Sequence, residues 1–419
     1  MDDLLLLTHR IPWPPNKGDK IRSHHLLRYL ADRYRVHLAT FIDDPADEQH
    51  IAALNDLCAS VHVGRLDPRR ARLRALSGLL TGAPLSLPYY RDAELARWVR
   101  GVVSEHRVEQ ALVFSSPMAQ YLDGLPGVRR VVDLVDVDSD KWRQYAAVRH
   151  QPARWVYARE ARRLLAYERG IVAAADAALL VSEEEAALFR QLAPESAEKT
   201  VALHNGVDTA FFDPAHRGVS PYPDDALPLV FSGAMDYWPN EQAVSWFARH
   251  VLPRVREADP RVSFHVVGSR PSRVVQALSQ ESGIEVTGFV DDIRPWLGHA
   301  AMAVAPLKTA RGVQNKVLEA MAMGRPVIGT PEALSGITAT VGEDVLQADE
   351  PEAFADAISA HLIRPDRRLG ERARACVVER YGWEAQLGRL DRLLTGQQTE
   401  HPPSVVTDAV AIKEVSHGR

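Results

Sequence analysis

The chain alternates between short apolar runs, which predict strands, and longer segments that predict helices, and this series occurs twice. Strands that alternate with helices are typical of a parallel sheet covered on both faces. Long helices are predicted at 19–32, 92–106 and 154–175. The strands predicted in the first series are Leu4–Thr8, Val36–Phe41, Gln110–Phe114, Arg130–Leu134, Ala177–Val181 and Thr200–Leu203.

A second series of strands predicts a second lobe of the same α/β kind. Between the two series, Asn205-Gly206 and the Pro/Gly-rich segment after it predict a turn and a hinge. We therefore expect two doubly wound Rossmann-like lobes, 1–205 and 206–380, with a cleft between them. The strands of the second series are Leu229–Ser232, Val262–Val267, Ile284–Thr287, Met302–Ala305 and Val327–Ile328.

The end of the chain predicts three helices, at 350–363, 366–380 and 383–394, followed by a tail. Residues 396–419 mix Pro, Ser, Thr, His and charged residues without periodicity. Such a composition cannot bury a core, and we expect this tail to be disordered.

Composition excludes several classes of protein. A length of 419 residues with 46% hydrophobic residues permits two cores, and a net charge of −5 gives no general affinity for nucleic acid. Cys58 and Cys376 are far apart and lack metal-ligand spacing, which favours a reducing compartment such as the cytoplasm. Leu4–Leu7 follows acidic residues and is expected to be a strand, not a signal peptide. No stretch approaches the ~18 apolar residues of a membrane span.

The segment 306–330 carries the strongest functional pattern. It predicts a strand end, a Gly-containing loop, a helix and a following strand, so that the helix N-terminus points out of a sheet edge as an anion site. Lys316 and Glu319 are three residues apart and share one helix face. Lys316 can bind a diphosphate and the Glu319 carboxylate can accept both ribose hydroxyls, as a nucleotide sugar requires.

This segment resembles the donor-site segment of family 4 glycosyltransferases of the GT-B fold. Their pattern is a Glu, seven residues, a second Glu and then Ala-x-Ala-x-Gly-x-Pro-Val. Glu319 matches the second Glu, whereas Arg311 stands in place of the first. The sequence of 311–319, Arg-Gly-Val-Gln-Asn-Lys-Val-Leu-Glu, resembles that of the family branch associated with PEP-CTERM/exosortase exopolysaccharide loci.

The resemblance covers most of 1–395 and implies several properties. Transfer would retain the anomeric configuration, without a divalent metal or another cofactor. The last helix, 381–395, would cross back onto the first lobe. Arg311 and Lys316 would stabilise the leaving diphosphate as catalytic cations.

Other donor-binding residues are predicted at the carboxyl ends of strands, where open α/β sheets bind ligands. Gly233 and Gly268 follow two such strands. The resemblance implies that Phe289 and Val290 contact the nucleobase. It also implies that the loop before Lys316 binds the donor. Many family members carry an Arg and a Lys after the glycine that corresponds to Gly233, and this chain has neither. The loop residues are Gly312, Val313, Gln314 and Asn315.

Two features of the first lobe are candidates for the acceptor side. Lys17, Gly18, Lys20 and Arg22 predict a flexible cationic turn that reaches a phosphate across the cleft. His24 and His25, which follow, are more often structural at such a position and are left out of the catalytic set.

Asp136-Val-Asp138 follows the strand at Arg130–Leu134. The pattern resembles the metal-binding Asp-x-Asp of the other glycosyltransferase fold, GT-A, which binds Mg²⁺ or Mn²⁺. A second complete lobe and the Glu319 segment disfavour that alternative. We therefore assign Asp136 a catalytic role on the acceptor side, with Asp138 as the alternative, and predict no metal site.

A basic amphipathic segment, Arg69–Arg74 with the leucines that follow, has two interpretations. It can lie on an anionic membrane surface, or it can be a solvated helix packed on the lobe.

The function predicted is transfer of a sugar from a nucleoside-diphosphate donor to a polyprenyl-linked or glycan acceptor in exopolysaccharide assembly. The enzyme would be cytoplasmic, with a peripheral position on the inner face of the cytoplasmic membrane as a further expectation. Two alternatives stay open: a GT-B sugar-nucleotide epimerase or hydrolase, and a non-catalytic partner that binds nucleotide sugars in an assembly complex.

Overall fold

A computed structural model describes residues 1–15, 18–148, 150–151, 153–310 and 312–396. Lys17 and Arg311, both predicted site residues, lie outside the described residues. So does the predicted tail, apart from Gly396.

The first lobe contains a parallel sheet of seven strands in the order β3-β2-β1-β4-β5-β6-β7 within the described chain. The order reverses between β1 and β4, as in doubly wound folds. The strands are β1 (Asp3–Thr8), β2 (Arg35–Ile42), β3 (Ser60–Arg65), β4 (Gln110–Phe114), β5 (Arg129–Val135), β6 (Ala177–Leu180) and β7 (Thr200–Ala202).

Helices cover both faces of this sheet. Several begin at the acidic or hydroxyl residues that cap helices well; the Asp92 carboxylate, for example, accepts hydrogen bonds from the backbone N–H groups of Glu94 and Leu95. The helices are α1 (Gly18–Ala31), α2 (Ile51–Leu57), α3 (Pro68–Ala75), α4 (Ser77–Thr81), α5 (Ser86–Tyr89), α6 (Ala93–His106), α7 (Asp138–Val148), α8 (Ala153–Ala174) and α9 (Glu183–Leu192).

The second lobe contains a parallel sheet of six strands in the order β10-β9-β8-β11-β12-β13, again within the described chain. The strands are β8 (Leu227–Ser232), β9 (Val262–Val267), β10 (Ile284–Gly288), β11 (Met302–Ala305), β12 (Val327–Gly329) and β13 (Leu346–Gln347). The helices are α10 (Trp238–His250), α11 (Leu252–Ala258), α12 (Arg273–Ala277), α13 (Arg294–His299), α14 (Asn315–Ala322), α15 (Pro331–Leu334), α16 (Pro351–Ile363), α17 (Arg367–Arg380) and α18 (Trp383–Thr395).

The apolar run of β1 shows why these strands are buried on both faces. Leu4 and Leu6 belong to one apolar cluster, while Leu5 and Leu7 belong to the cluster on the opposite face. Side chains alternate along a strand, so a continuous apolar run supplies both faces of a covered sheet. The sequence pattern therefore predicts a central strand, and β1 is one.

The last helix returns to the first lobe, as predicted. Trp383 and four leucines of α18 pack in the apolar cluster beneath the first sheet. The Val207 N–H donates to the Tyr381 carbonyl over 2.7 Å, beside the start of this helix. The Tyr29 hydroxyl of α1 donates to the Asp391 carboxylate over 2.7 Å. The C-terminal helix thus joins both lobes.

The predicted two-lobe α/β architecture is confirmed, with two strands that the sequence analysis did not identify. β3 is a half-exposed edge strand with polar residues, and β13 has two residues. The first sheet ends at Ala202 and the second begins at Leu227, so the lobe boundary predicted at 205/206 lies between them. None of the helices in the described ranges is both long enough and apolar enough to cross a bilayer.

Candidate active site

The loops after β8, β9 and β10 form one edge of the second sheet. The Gly233 N–H donates to the Val267 carbonyl and the Gly268 N–H donates to the Gly288 carbonyl, each over 3.0 Å. Gly268 has a φ of 153°, and a Cβ there would lie 1.7 Å from the Gly233 oxygen. Only glycine permits this contact between backbones, which keeps the carboxyl end of the sheet open to a ligand.

α14 carries Lys316 toward this edge. The Lys316 ammonium donates to the Asn240 side-chain oxygen and lies 4.1 Å from the centre of the Phe231 ring. A Cβ on Gly233 would lie 3.2 Å from the Lys316 nitrogen. Asn240 is held in turn by a 2.9 Å hydrogen bond to the Ala234 carbonyl. The structure therefore brings Lys316 to the Gly233 turn.

Glu319 lies one turn further along α14. It is half-buried. Burial lowers the pKa of Lys316 to about 7, and the Glu319 carboxylate opposes that shift. Burial also raises the pKa of Glu319 to about 7, opposed by Lys316. Both groups therefore change charge near neutral pH, and a ligand that carries charge would shift them.

The loop before α14 is fixed by another close approach of backbones. A Cβ on Gly336 would lie 2.6 Å from the Gly312 carbonyl carbon and 2.8 Å from the Val313 nitrogen. Val313 packs against the core of the second lobe. Asn315 is exposed at the first position of α14, and the Gln314 side chain donates to the Gly312 carbonyl over 3.2 Å. The loop thus presents the N-terminus of α14, with Gly336 as a support that the sequence analysis missed.

Exposed aromatic rings follow β8 and β10. Phe289 is 74% exposed, whereas Val290 packs against the core of the second lobe. Tyr237 and Trp238, at the start of α10, are also exposed. Two adjacent aromatic residues shortly after the Gly233 turn are visible in the sequence, but that pattern alone predicts no role for them.

Arg270 is a cation at this edge that the sequence analysis missed. Arg270 lies two residues after Gly268, in the loop that follows β9, and its φ is 54°. Its guanidinium lies 3.1 Å from the Asp236 carboxylate in the loop after β8, and the Met235 N–H donates to the Ser269 carbonyl over 2.8 Å. The two loops are thereby joined, and Arg270 adds a cation to the loop that follows Gly268.

The predicted cationic turn of the first lobe requires a correction. Lys20 and Arg22 are each 1% exposed. The Lys20 ammonium donates to Asp47 over 2.6 Å, and Arg22 donates to Asp133 over 2.8 Å. Buried cations need such partners, so Lys20 fixes α1 to the segment after β2, Arg22 fixes α1 to β5, and neither side chain forms a flexible phosphate site. Gly18 begins α1.

Arg22 also connects the first sheet to the hinge. It donates to the Leu203 carbonyl over 2.8 Å and to the Asn205 side-chain oxygen over 2.9 Å. Its role in the structure is therefore to position the segment that leads out of the first lobe.

Asp136 and Asp138 share one lysine. The Lys141 ammonium donates to Asp136 over 2.8 Å and to Asp138 over 3.0 Å. Asp140, two residues on, accepts from Arg143 and Gln144 instead. In the described residues, these carboxylates do not gather with a third possible metal ligand. A lysine thus occupies the position between the first two carboxylates that a cation would need.

The architecture matches solved structures over nearly the whole chain. The crystal structure of HepE from Anabaena in complex with UDP superimposes with a TM-score of 0.60 at 16% identity, covering 94% of this chain and 100% of that chain. A sucrose-phosphate synthase from Thermosynechococcus elongatus also gives a TM-score of 0.60, at 18% identity, covering 95% and 100%. The fold is GT-B, as the resemblance implied.

Sequence comparison finds similarity to glycosyltransferases. The family described as "Glycosyl transferases group 1" matches residues 227–363, which contain Gly233, Lys316 and Glu319. D-inositol 3-phosphate glycosyltransferase 1 of Catenulispora acidiphila is 26% identical over 54% of this chain and 58% of its own length. The chain therefore spans a little over half the length of this curated relative. The chain thus has the GT-B fold, and its second lobe is similar in sequence to glycosyltransferases.

Proposed function

We propose that the chain transfers a sugar from a nucleoside-diphosphate donor to an acceptor, and that α14 binds the donor. The observation that carries this proposal is the approach of Lys316 to the Gly233 turn, with Glu319 on the same helix and within the matched family segment. HepE, a structural neighbour, has been solved with UDP and with UDP-glucose. UDP-sugars are therefore the first donors to test.

The chemistry requires stabilisation of the leaving diphosphate. Negative charge grows on the diphosphate as the sugar departs, and a fixed cation together with the N-terminus of a helix lowers that barrier. Lys316 supplies the cation and α14 supplies the N–H groups, while Arg270 offers a second cation from the neighbouring loop. Transfer with retention of configuration follows from the resemblance to family 4, and Glu319 anchors the ribose.

We propose that this transfer needs no divalent metal. The support is the Lys141 ammonium, which already lies between Asp136 and Asp138 and pairs with both carboxylates. Asp136 remains our candidate beside the acceptor, where release from Lys141 would free its carboxylate. Full turnover in EDTA is the expected result. Loss of turnover that Mn²⁺ restores would contradict the metal-free mechanism.

We propose that the acceptor is a polyprenyl-linked molecule or a glycan, and that the enzyme binds it at the inner face of the cytoplasmic membrane. One support is a surface of α3 and α4 on which Leu73, Leu76 and Leu80 are exposed beside Arg69, Arg70 and Arg72. Arg74 differs because its guanidinium donates to the Pro88 and Tyr89 carbonyls. Exopolysaccharide assembly follows from the similarity of 311–319 to the PEP-CTERM/exosortase branch.

Turnover with and without acceptor tests the proposed function. The protein is incubated with UDP-sugars, with or without a polyprenyl-phosphate-linked acceptor, while UDP release and sugar transfer are measured. We expect both only when acceptor is present, and loss of both in Lys316→Met. Release of UDP without acceptor would instead indicate a hydrolase, and conversion of one UDP-sugar into another without UDP release would indicate an epimerase. Donor binding without turnover on any acceptor would indicate a non-catalytic partner.

A further inference from the structure

Three possible metal ligands meet at the amino ends of the strands of the first sheet. Asp3 begins β1, His37 lies near the start of β2, and His106 ends α6. One ligand atom from each lies within 4.8 Å of the other two. This edge of the sheet is opposite the carboxyl ends where α/β sheets bind substrates. The cluster is therefore separate from the candidate active site, which lies in the second lobe.

The buried histidine is oriented from both of its ring nitrogens. His37 Nε2 lies 2.8 Å from the Asp3 carboxylate, and Nδ1 lies 2.7 Å from the Ser60 hydroxyl. The His37 side chain is buried, while Asp3 and His106 are half-buried and reachable from solvent. Histidines that bind metals characteristically use one nitrogen for the metal and fix the other by a hydrogen bond. Ser60 supplies that second bond.

We propose that Asp3, His37 and His106 bind one Zn²⁺ ion, with water in the fourth position. Two imidazoles and one carboxylate are a ligand set that Zn²⁺ accepts, and the ion would replace the proton between His37 and Asp3. The His106 ring stacks on His37, with ring centres 4.5 Å apart and planes at 27°. For His106 to coordinate the ion, its ring must rotate away from the His37 ring.

Arg35 is the one described cation paired with this cluster. Its guanidinium lies 3.7 Å from Asp3 Oδ2, whereas His37 faces Oδ1. Arg35 is exposed to solvent at this position, so its charge is screened. Oδ1 remains available to the ion. Bound Zn²⁺ would tie β1, β2 and the end of α6 together and so stabilise the first lobe.

Zinc binding to the full chain, freed of metal and without an affinity tag, tests this proposal. We expect about one Zn²⁺ per chain in equilibrium dialysis and a higher melting temperature in its presence. Asp3→Asn and His106→Gln should each weaken binding by about 10-fold or more, and Ser60→Ala by about 10- to 100-fold, the usual effect of losing an outer hydrogen bond.

His62→Gln is the matched control, since His62 lies on β3 and stacks on Trp98 outside the cluster. It should bind Zn²⁺ as the parent does. Co²⁺ in place of Zn²⁺ gives a visible absorption band that reports histidine ligation, and this band should change in His106→Gln. No Zn²⁺ binding by the parent, or parent-like binding by His106→Gln, would overturn the proposal. His106 is half-buried at a helix end, so this variant is suited to the test even if Asp3→Asn folds poorly.

Discussion

At the scale of single residues, Lys316 shows how burial can prepare a binding site. Its ammonium is held by Asn240 and the Phe231 ring, and burial brings its pKa down to about 7. A diphosphate placed beside it would supply negative charge and raise that pKa again. Glu319 has the opposite shift, with its pKa raised to about 7. Donor affinity should therefore depend on pH through both groups.

We predict that donor affinity is highest near pH 7. Lys316 loses its positive charge as the pH rises through its lowered pKa, which weakens diphosphate binding on the alkaline side. Glu319 loses its negative charge as the pH falls through its raised pKa, which weakens ribose binding on the acid side. Titration calorimetry from pH 5.5 to 8.5, with a nucleotide sugar whose diphosphate is esterified at both ends, measures the two limbs.

Single variants show which residue causes the loss of donor affinity on each side of the pH optimum. Lys316→Met should remove the loss of affinity on the alkaline side, and Glu319→Gln should remove the loss on the acid side. If both limbs persist in both variants, the titrating groups are elsewhere and the two side chains do not face the donor.

At the scale of elements, α3 and α4 form a surface suited to an anionic membrane. Each arginine near such a surface contributes about 1 kcal/mol of attraction at moderate salt. We predict that changing Arg69, Arg70 and Arg72 together to Gln reduces binding to anionic liposomes, and that binding of the parent fades as salt rises. Liposome co-sedimentation measures both. Arg74 is kept because it holds the backbone of α5.

The matched control removes three exposed arginines elsewhere, Arg97, Arg100 and Arg367, with the same change in net charge. It should bind liposomes as the parent does. Equal loss of binding in both triple variants would show that net charge matters and the α3–α4 surface does not.

Local patterns in the sequence predict most elements but not the partners of buried charges. β1 was predictable because four consecutive leucines supply both faces of a strand, and α14 because Gly324, with a φ of 65°, ends it. Lys20 and Arg22 were misassigned because their carboxylate partners lie 27 and 111 residues away in sequence. Arg270 was missed for the same reason, since only the fold joins the loops after β8 and β9.

At the scale of the whole molecule, the two lobes are joined where Gly206 meets the start of α18. A Cβ on Gly206 would lie 2.5 Å from the Trp383 Cα. We predict that Gly206→Ala lowers the free energy of unfolding by about 1–3 kcal/mol, the usual effect of overpacking. Urea unfolding measures this change. Gly101→Ala is the control, because no atom outside its own helix lies within 4 Å of a Cβ there.

The position of the donor is the central claim, and Glu319→Ala tests it most directly. Calorimetry compares binding of the nucleotide sugar by the parent, by Glu319→Ala and by Glu343→Ala, which removes an exposed carboxylate of the same lobe. Loss of a charged acceptor for the ribose hydroxyls should weaken binding by about 1.5–3 kcal/mol, while Glu343→Ala binds as the parent does. Unchanged affinity in folded Glu319→Ala would contradict the assignment of α14 as the donor site.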